Sequence, residues 1–185
     1  IDRRDGQHRP IDFAALDDKD IDAIPARNQA NVFGFACDDT AQLMPAPIVL
    51  AHALARRLDE VAASGALPYL LPDGKTQVGI RYRNHRPAGI HSVSMVACQR
   101  RAEEPSPEQL RQDLLDRIIH PVLADCELSL PEPAEIHVNP DGPFVGGGPA
   151  THSGLTGRKN AIDTYGEYSR HGGAALSGKG PMRID

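Results

Sequence analysis

The residues best placed by type and spacing to do chemistry gather near the end of the chain. Ten of the 17 glycines lie in 146–185, nine of them in Gly146-Gly147-Gly148-Pro149, in GLTGRK (154–159) and in RHGGAALSGKG (170–180). Arg158, Lys159, Arg170, Lys179 and Arg183 are interspersed among them. Glycines let backbone N–H groups approach an anion closely, and a few cations beside them complete a phosphate cradle. GxxxxGK[ST] is absent and no GxGxxG opens a helix, so the commonest nucleotide motifs are not the source of such a site. Composition leaves two readings open, an anion-binding site and a solvated, turn-rich linker. Other reactive residue types carry less. Cys37, Cys98 and Cys126 are far apart and lack metal spacing, so they read as reduced, buried thiols. His52, His91, His120 and His137 fall in expected helices or strands, where packing or surface roles are the default. His85 and His91 are six residues apart, which is not a zinc pattern.

The elements that must position these groups follow from periodicity. Residues 1–24 are rich in Asp and poorly periodic, so a loop or linker is expected there. NVFGFAC (31–37) is an aromatic and β-branched run that reads as a strand. Pro45 and Pro47 introduce a helix with Leu50, Leu54, Leu58 and Val61 at helical spacing, ended by Gly65. KTQVGIRYR (75–83) and IHSVSMVAC (90–98) alternate with period two and form a hairpin around a turn at Asn84–Gly89. Ser106-Pro107-Glu108-Gln109 is a capping box for a helix carrying Leu110, Leu114, Ile118 and Ile119, which Pro121 should end or kink. AEIHV (134–138) is a strand, stopped by the turn Asn139-Pro140-Asp141-Gly142. The expected fold class is therefore α+β: a two-layer β-α-β-β-α-β unit with two helices on one face of a four-stranded sheet. The expected domains are the end of an N-terminal domain or linker at 1–24, a central domain at 25–145, and the truncated start of a C-terminal domain at 146–185.

A length of 185 residues with 40% hydrophobic content is enough for a packed core. A formal net charge of -5 argues against general nucleic-acid binding, which needs a basic stripe. No apolar run reaches the roughly 20 residues of a membrane helix, so no membrane partner is expected. The chain starts at Ile1 and stops within SGKGPMRID, and is read as an internal fragment of a longer, cytosolic protein.

Taken together and in order, NVFGFACDDTAQLMPAPIVLAHALARRLDEV, LPYLLPDGKTQV, VNPDGPFVGGGP, SGLTGRKNAIDTYG and RHGGAALSGKGPMRID resemble S-adenosylmethionine synthetase (methionine adenosyltransferase), from about Ala26 to Asp185. The resemblance implies a fold of three intertwined β-α-β-β-α-β repeats, one of them complete here with parts of its neighbours. It implies an enzyme that joins ATP to methionine, with Mg²⁺ and K⁺ as cofactors, working as a homodimer or a dimer of dimers. By the same resemblance Asp73, Gly74 and Lys75 contact ribose and phosphate, and Phe144 stacks on adenine. Arg158 and Lys159 bind phosphates, Ala175 and Lys179 belong to a nucleotide-contacting glycine-rich loop, and Asp185 binds Mg²⁺. Lys75, Arg158, Lys159 and Lys179 form the catalytic set. Asn28, His152 and Arg183 fall at substrate positions, and Gln7 falls near a methionine-site glutamine on a mobile gate.

The sequence departs from the family pattern at several of these positions. Asn28 in Pro25-Ala26-Arg27-Asn28-Gln29-Ala30 and His152 each replace an active-site Asp, which removes acceptors for a substrate ammonium. Pro143 stands for an Arg, Gly180 for an Asp and Arg183 for a Lys, the last keeping the charge but changing its geometry. The family's His-Pro-Asp-Lys motif is not in this stretch, so the chain alone is expected to be inactive. Two alternatives follow from the same substitutions: a catalytically degenerate paralogue acting as a structural or regulatory subunit, and a transferase for a different thioether or nucleotide.

Overall fold

The computed structural model describes residues 15–22, 33–126, 128, 135–154 and 159–170. They divide between two compact units, residues 36–154 in one and the described residues of 1–35 and 155–185 in the other. In the latter, the last of the aspartates that read as a linker build a helical turn, α1 (Asp18–Asp22). Asp17 Oδ1 accepts from the Asp20 N–H at 2.8 Å and Asp20 Oδ2 accepts from the Asp17 N–H at 3.5 Å, the reciprocal arrangement of a capping box.

The larger unit is the expected α+β layer pair. Its first helix, α2 (Ala46–Ser64), has Pro in its first turn and ends at Gly65, whose φ of 71° lets its N–H reach the Ala62 carbonyl. Leu50, Leu54, Leu58 and Val61 lie on its buried face. That face covers a long antiparallel hairpin, β1 (Leu70–Arg83) and β2 (Arg86–Gln99). The hairpin exceeds the expected strands at both ends. Its turn is only Asn84 and His85, both at positive φ (51° and 62°), the conformation of tight hairpin turns. Register irregularities between Gly79 and Ile80 and between Arg81 and Tyr82 interrupt the alternation there, and so made the turn look longer in the sequence.

The second helical stretch does not stop at Pro121. It runs from α3 (Pro107–Leu114), capped by Ser106 Oγ on the Gln109 N–H, through a π turn at Leu115–Ile119 into α4 (His120–Ala124). Proline has no N–H for the Arg117 carbonyl one turn back. That carbonyl accepts instead from Arg57 Nε of α2 at 3.1 Å, while the wide turn lets the His120 N–H reach Leu115. Leu110, Leu114, Ile118, Ile119 and Leu123 complete the core with Val78, Ile90, Val93, Met95 and Ala97. Tyr69, just before β1, donates its hydroxyl to Asp113 Oδ2 at 2.6 Å and so fastens α3 to the sheet layer.

The remaining strands are β3 (Glu135–Val138) and β4 (Phe144–Val145), both parallel to β2 and both on the edge opposite β1. β4 is the fourth strand of this sheet; the expected first strand is not. Residues 33–37 lie outside any ladder among the described residues. Phe35 instead packs its ring on Tyr165 and Tyr168, with centroids 5.4 and 5.8 Å away, within the smaller unit. That unit also holds α5 (Asn160–Asp163) and a 3₁₀ turn at Gly166–Tyr168. The three cysteines are free, but only Cys98 is fully buried; Cys37 and Cys126 are half-buried.

Burial, and then the hydrogen bond to Asp113, push the Tyr69 hydroxyl well above its ordinary value of 10.0. The group resists ionisation in the folded state, so its contribution to stability is present below about pH 10 and is lost as the pH rises beyond it. Tyr69→Phe should lower unfolding stability at pH 7 by about 1 kcal/mol. It should also flatten the alkaline limb, as read by urea titrations at pH 7 and above pH 10.

Candidate functional site

A cleft of about 390 Å³ opens at the Val96 end of β2. On one side β1 departs from regular pairing: Leu70 faces Gln99 and Gly74 faces Ala97, so Leu71–Asp73 bulge out of the ladder. This bulge places Asp73, Gly74 and Lys75 on the cleft wall. On the other side the loop from Asn139 to Pro143 and the start of β4 supply the opposite wall, ending in Phe144.

Hydrogen bonds hold these walls together. Asp73, half-buried, accepts the Gly148 N–H on Oδ2 at 2.6 Å. Cys98 Sγ accepts the Gly147 N–H at 3.4 Å. Gly147 therefore lies directly against the Asp73 carboxylate. A Cβ there would sit 2.5 Å from Asp73 Oδ2 and 2.9 Å from Phe144 Cζ, so no other residue fits without displacing one of them. Beyond it the chain turns tightly, with the N–H groups of Thr151 and His152 both on the Gly148 carbonyl at 3.0 Å and the Thr151 hydroxyl on the Gly146 carbonyl. His152 is exposed and its Nδ1 accepts the Gly154 N–H at 2.8 Å, which fixes the neutral ring as the Nε2–H tautomer.

The site residues named from the sequence thus divide. Asp73, Gly74, Lys75 and Phe144 line one cleft, and His152 follows in the loop anchored to Asp73 through Gly148. Lys159 is exposed, precedes α5 and belongs to the other unit. Asn28, Arg158, Ala175, Lys179, Arg183, Asp185 and Gln7 lie outside the described residues. Among the described residues that line the cleft, Lys75 is the single cation, beside two acidic residues, Asp73 and Asp141. Such a wall suits an aromatic base and a hydroxyl-bearing sugar better than a bare polyphosphate.

Sequence reading missed three contributors: Asn139, hidden inside a turn signal; Gly147, one glycine among many; and Cys98, read only as a buried thiol. The Asn139-Pro140 pair was the available signal. Asn tolerates a positive φ, here 41°, and a following proline cannot extend a ladder.

Comparison with known proteins shows the family. The description "S-adenosylmethionine synthetase, central domain" matches residues 23–144, and "S-adenosylmethionine synthetase, C-terminal domain" matches residues 146–185. The chain is 43% identical over 187 residues to the S-adenosylmethionine synthase of Synechococcus sp. (strain JA-3-3Ab), covering 97% of this chain and 45% of that protein. It is 48% identical over 172 residues to the S-adenosylmethionine synthase of Trichormus variabilis, covering 89% and 41%. For that of Prochlorococcus marinus (strain MIT 9303) the identity is 47% over 173 residues, covering 89% and 41%. The chain spans less than half the length of these relatives. Matched over nearly all of its residues, and with the PDGK and NPDGPF segments meeting at one cleft, the chain belongs to the S-adenosylmethionine synthetase family.

Proposed function

We propose that the full-length protein makes S-adenosylmethionine from ATP and methionine, and that the cleft receives the nucleoside half of ATP. The observation that supports this reading is the meeting of Phe144, Asp73 and Lys75 around one cleft of nucleoside size in a chain of this family. Phe144 stacks on adenine. Asp73 uses Oδ1, the oxygen not engaged by Gly148, to accept from a ribose hydroxyl, and Lys75 meets a phosphate. The methionine sulfur attacks C5′ of the ribose; a C–S bond forms as the C5′–O bond breaks, and tripolyphosphate leaves with the electron pair, to be hydrolysed before release. A thioether carries no proton to remove, so this step calls on orientation and on charge stabilisation rather than on a general base.

The leaving tripolyphosphate needs more positive charge than Lys75 supplies. In this reading Arg158, Lys159 and Lys179 provide it, Ala175 contributes a backbone contact, and Asn28, His152 and Arg183 face methionine. Among the described residues there is no cluster of three or more metal-ligating side chains. Magnesium is assigned as part of the substrate Mg·ATP, with Asp185 as its protein contact by the family resemblance, and K⁺ as an ionic requirement. A second copy of the chain is proposed to cover the sheet face opposite the helices, where Lys75, Gln77, Ser92, Ser94, Glu135 and His137 alternate outward. No described helix is long and apolar enough to cross a membrane. Asn28 and His152 favour a second reading, a degenerate paralogue that keeps the fold as a structural or regulatory subunit.

Methionine-dependent release of tripolyphosphate or phosphate from ATP by the full-length protein tests the primary reading. Turnover is expected; tight Mg·ATP binding without turnover would select a degenerate nucleotide-binding paralogue, and absence of both a purely structural one. Phe144→Ala should weaken ATP binding roughly tenfold or more, the usual loss when a base forfeits its stacking partner. Gly147→Ala should weaken it as well, because the new methyl displaces Asp73 or Phe144. Calorimetric titration with Mg·ATP reads both.

A further inference from the structure

Along its outer edge β2 is paired twice, but not continuously. β3 pairs with Ser92–Met95, and the Asn139 N–H closes that run on the Met95 carbonyl at 2.9 Å. β4 begins only at Cys98 and Gln99. Between them, among the described residues, the N–H and C=O of Ala97 have no main-chain partner on this edge. The Asn139 side chain takes both: Oδ1 accepts the Ala97 N–H at 2.8 Å and Nδ2 donates to the Ala97 carbonyl at 3.1 Å. A carboxamide has the same donor and acceptor as a peptide group, so this side chain fills the gap as a missing strand residue would. The backbone of Asn139, at φ 41°, meanwhile leaves the ladder, and residues 140–143 loop out as the cleft wall.

We infer that Asn139 is a positioning residue for the nucleoside subsite: by standing in for a strand it joins β3 to β4 and sets where Phe144 enters the cleft. The inference rests on the functional reading only for the ligand, not for the placement of Phe144. Both polar atoms of the carboxamide are committed to Ala97, so Asn139 acts through β4 rather than as a principal substrate contact. The other anchors of the region, Asp73 on Gly148 and Cys98 on Gly147, lie beyond Phe144 in the chain. Ahead of Phe144, which itself pairs with Cys98, the approach is held at Asn139, by its side chain on Ala97 and its N–H on the Met95 carbonyl.

The test uses the full-length protein with Asn139→Ala and Asn139→Asp. Asn139→Ala should weaken Mg·ATP binding about ten- to a hundredfold, the range for a misplaced contact. Its affinity for inorganic tripolyphosphate, which has no base, should stay within about twofold of wild type, and the main unfolding transition should stay cooperative. Amide hydrogen exchange at Phe144 and Val145 should accelerate while exchange at Leu54 and Leu114 does not. Asn139→Asp presents two acceptors to Ala97 when ionised, but one donor and one acceptor when protonated, so its ATP affinity should recover as the pH falls through the carboxyl's titration. Wild type measured over the same range accounts for Asp73, Asp141 and Lys75, which line the same cleft. Unchanged exchange at Phe144 and Val145, or equal loss of ATP and tripolyphosphate binding, would overturn the inference. Failure of wild type to bind ATP would instead sink the functional reading, and the exchange experiment would still decide the role of Asn139.

Discussion

A strand in the middle of a sheet must find partners for every N–H and C=O on both of its edges, and that demand on β2 organises the rest of the larger unit. β1 satisfies one edge with breaks in register near the hairpin turn and a wider departure at Leu71–Asp73, where it bulges away. From Ser92 onward the other edge is satisfied in three instalments, by β3, by the Asn139 carboxamide and by β4. The cleft lies where both flanking partners depart from regular pairing at the same end of β2. Its polar and aromatic groups are there because the chain that leaves a ladder must turn, and turns expose side chains at fixed angles. The helices on the opposite face supply rigidity: Leu54, Met95, Leu114, Ile118 and Ile119 are fully buried there, and the Thr76 hydroxyl reaches the Ala51 carbonyl of α2 at 2.7 Å.

Much of this architecture could be read from local pattern. α2 has proline at its start, glycine at its end and leucines four residues apart, and each signal has a single cause. The hairpin was legible from alternation, and Ser106 from its place before Pro107. What misled were signals whose outcome depends on distant partners. NVFGFAC has the composition of a strand, yet composition supplies no edge to pair with, and Phe35 finds aromatic neighbours at Tyr165 and Tyr168 instead. Pro121 removes a donor wherever it sits, but here Arg57, sixty residues before Arg117, donates to the Arg117 carbonyl in its place. The Asp-rich start looked like a linker because aspartate suits both solvated loops and helix caps; Asp17 and Asp20 chose the second.

The site was legible in a different way. No spacing rule pairs Asp73 with Phe144, some seventy residues apart, and only the resemblance of whole segments brought them together. The fold does so by placing the β1 bulge and the start of β4 on either side of β2. Residues that work through backbone groups were the least visible. Gly147 is informative because of what a Cβ would strike, and Asn139 because of the ladder gap it fills, and neither fact exists until the strands are assembled. His152, in contrast, was visible as a departure from family pattern, and the structure adds its tautomer.

The wide turn at Leu115–Ile119 has a consequence for how the helix layer tolerates change. Residues spaced four apart drift about 40° around an ideal helix at each step. Leu110, Leu114 and Ile118 would wander off the core within two steps, and Ile119 and Leu123 would end on the far side. Widening one turn unwinds that drift and brings all five apolar side chains back onto a single stripe. The helix thus behaves as a gear with one extra tooth. Its residue count is meshed with the sheet beneath it: removing a residue within the wide turn would leave an ordinary α turn with both flanks still in phase, whereas removing one from a regular turn would rotate everything downstream by about 100°.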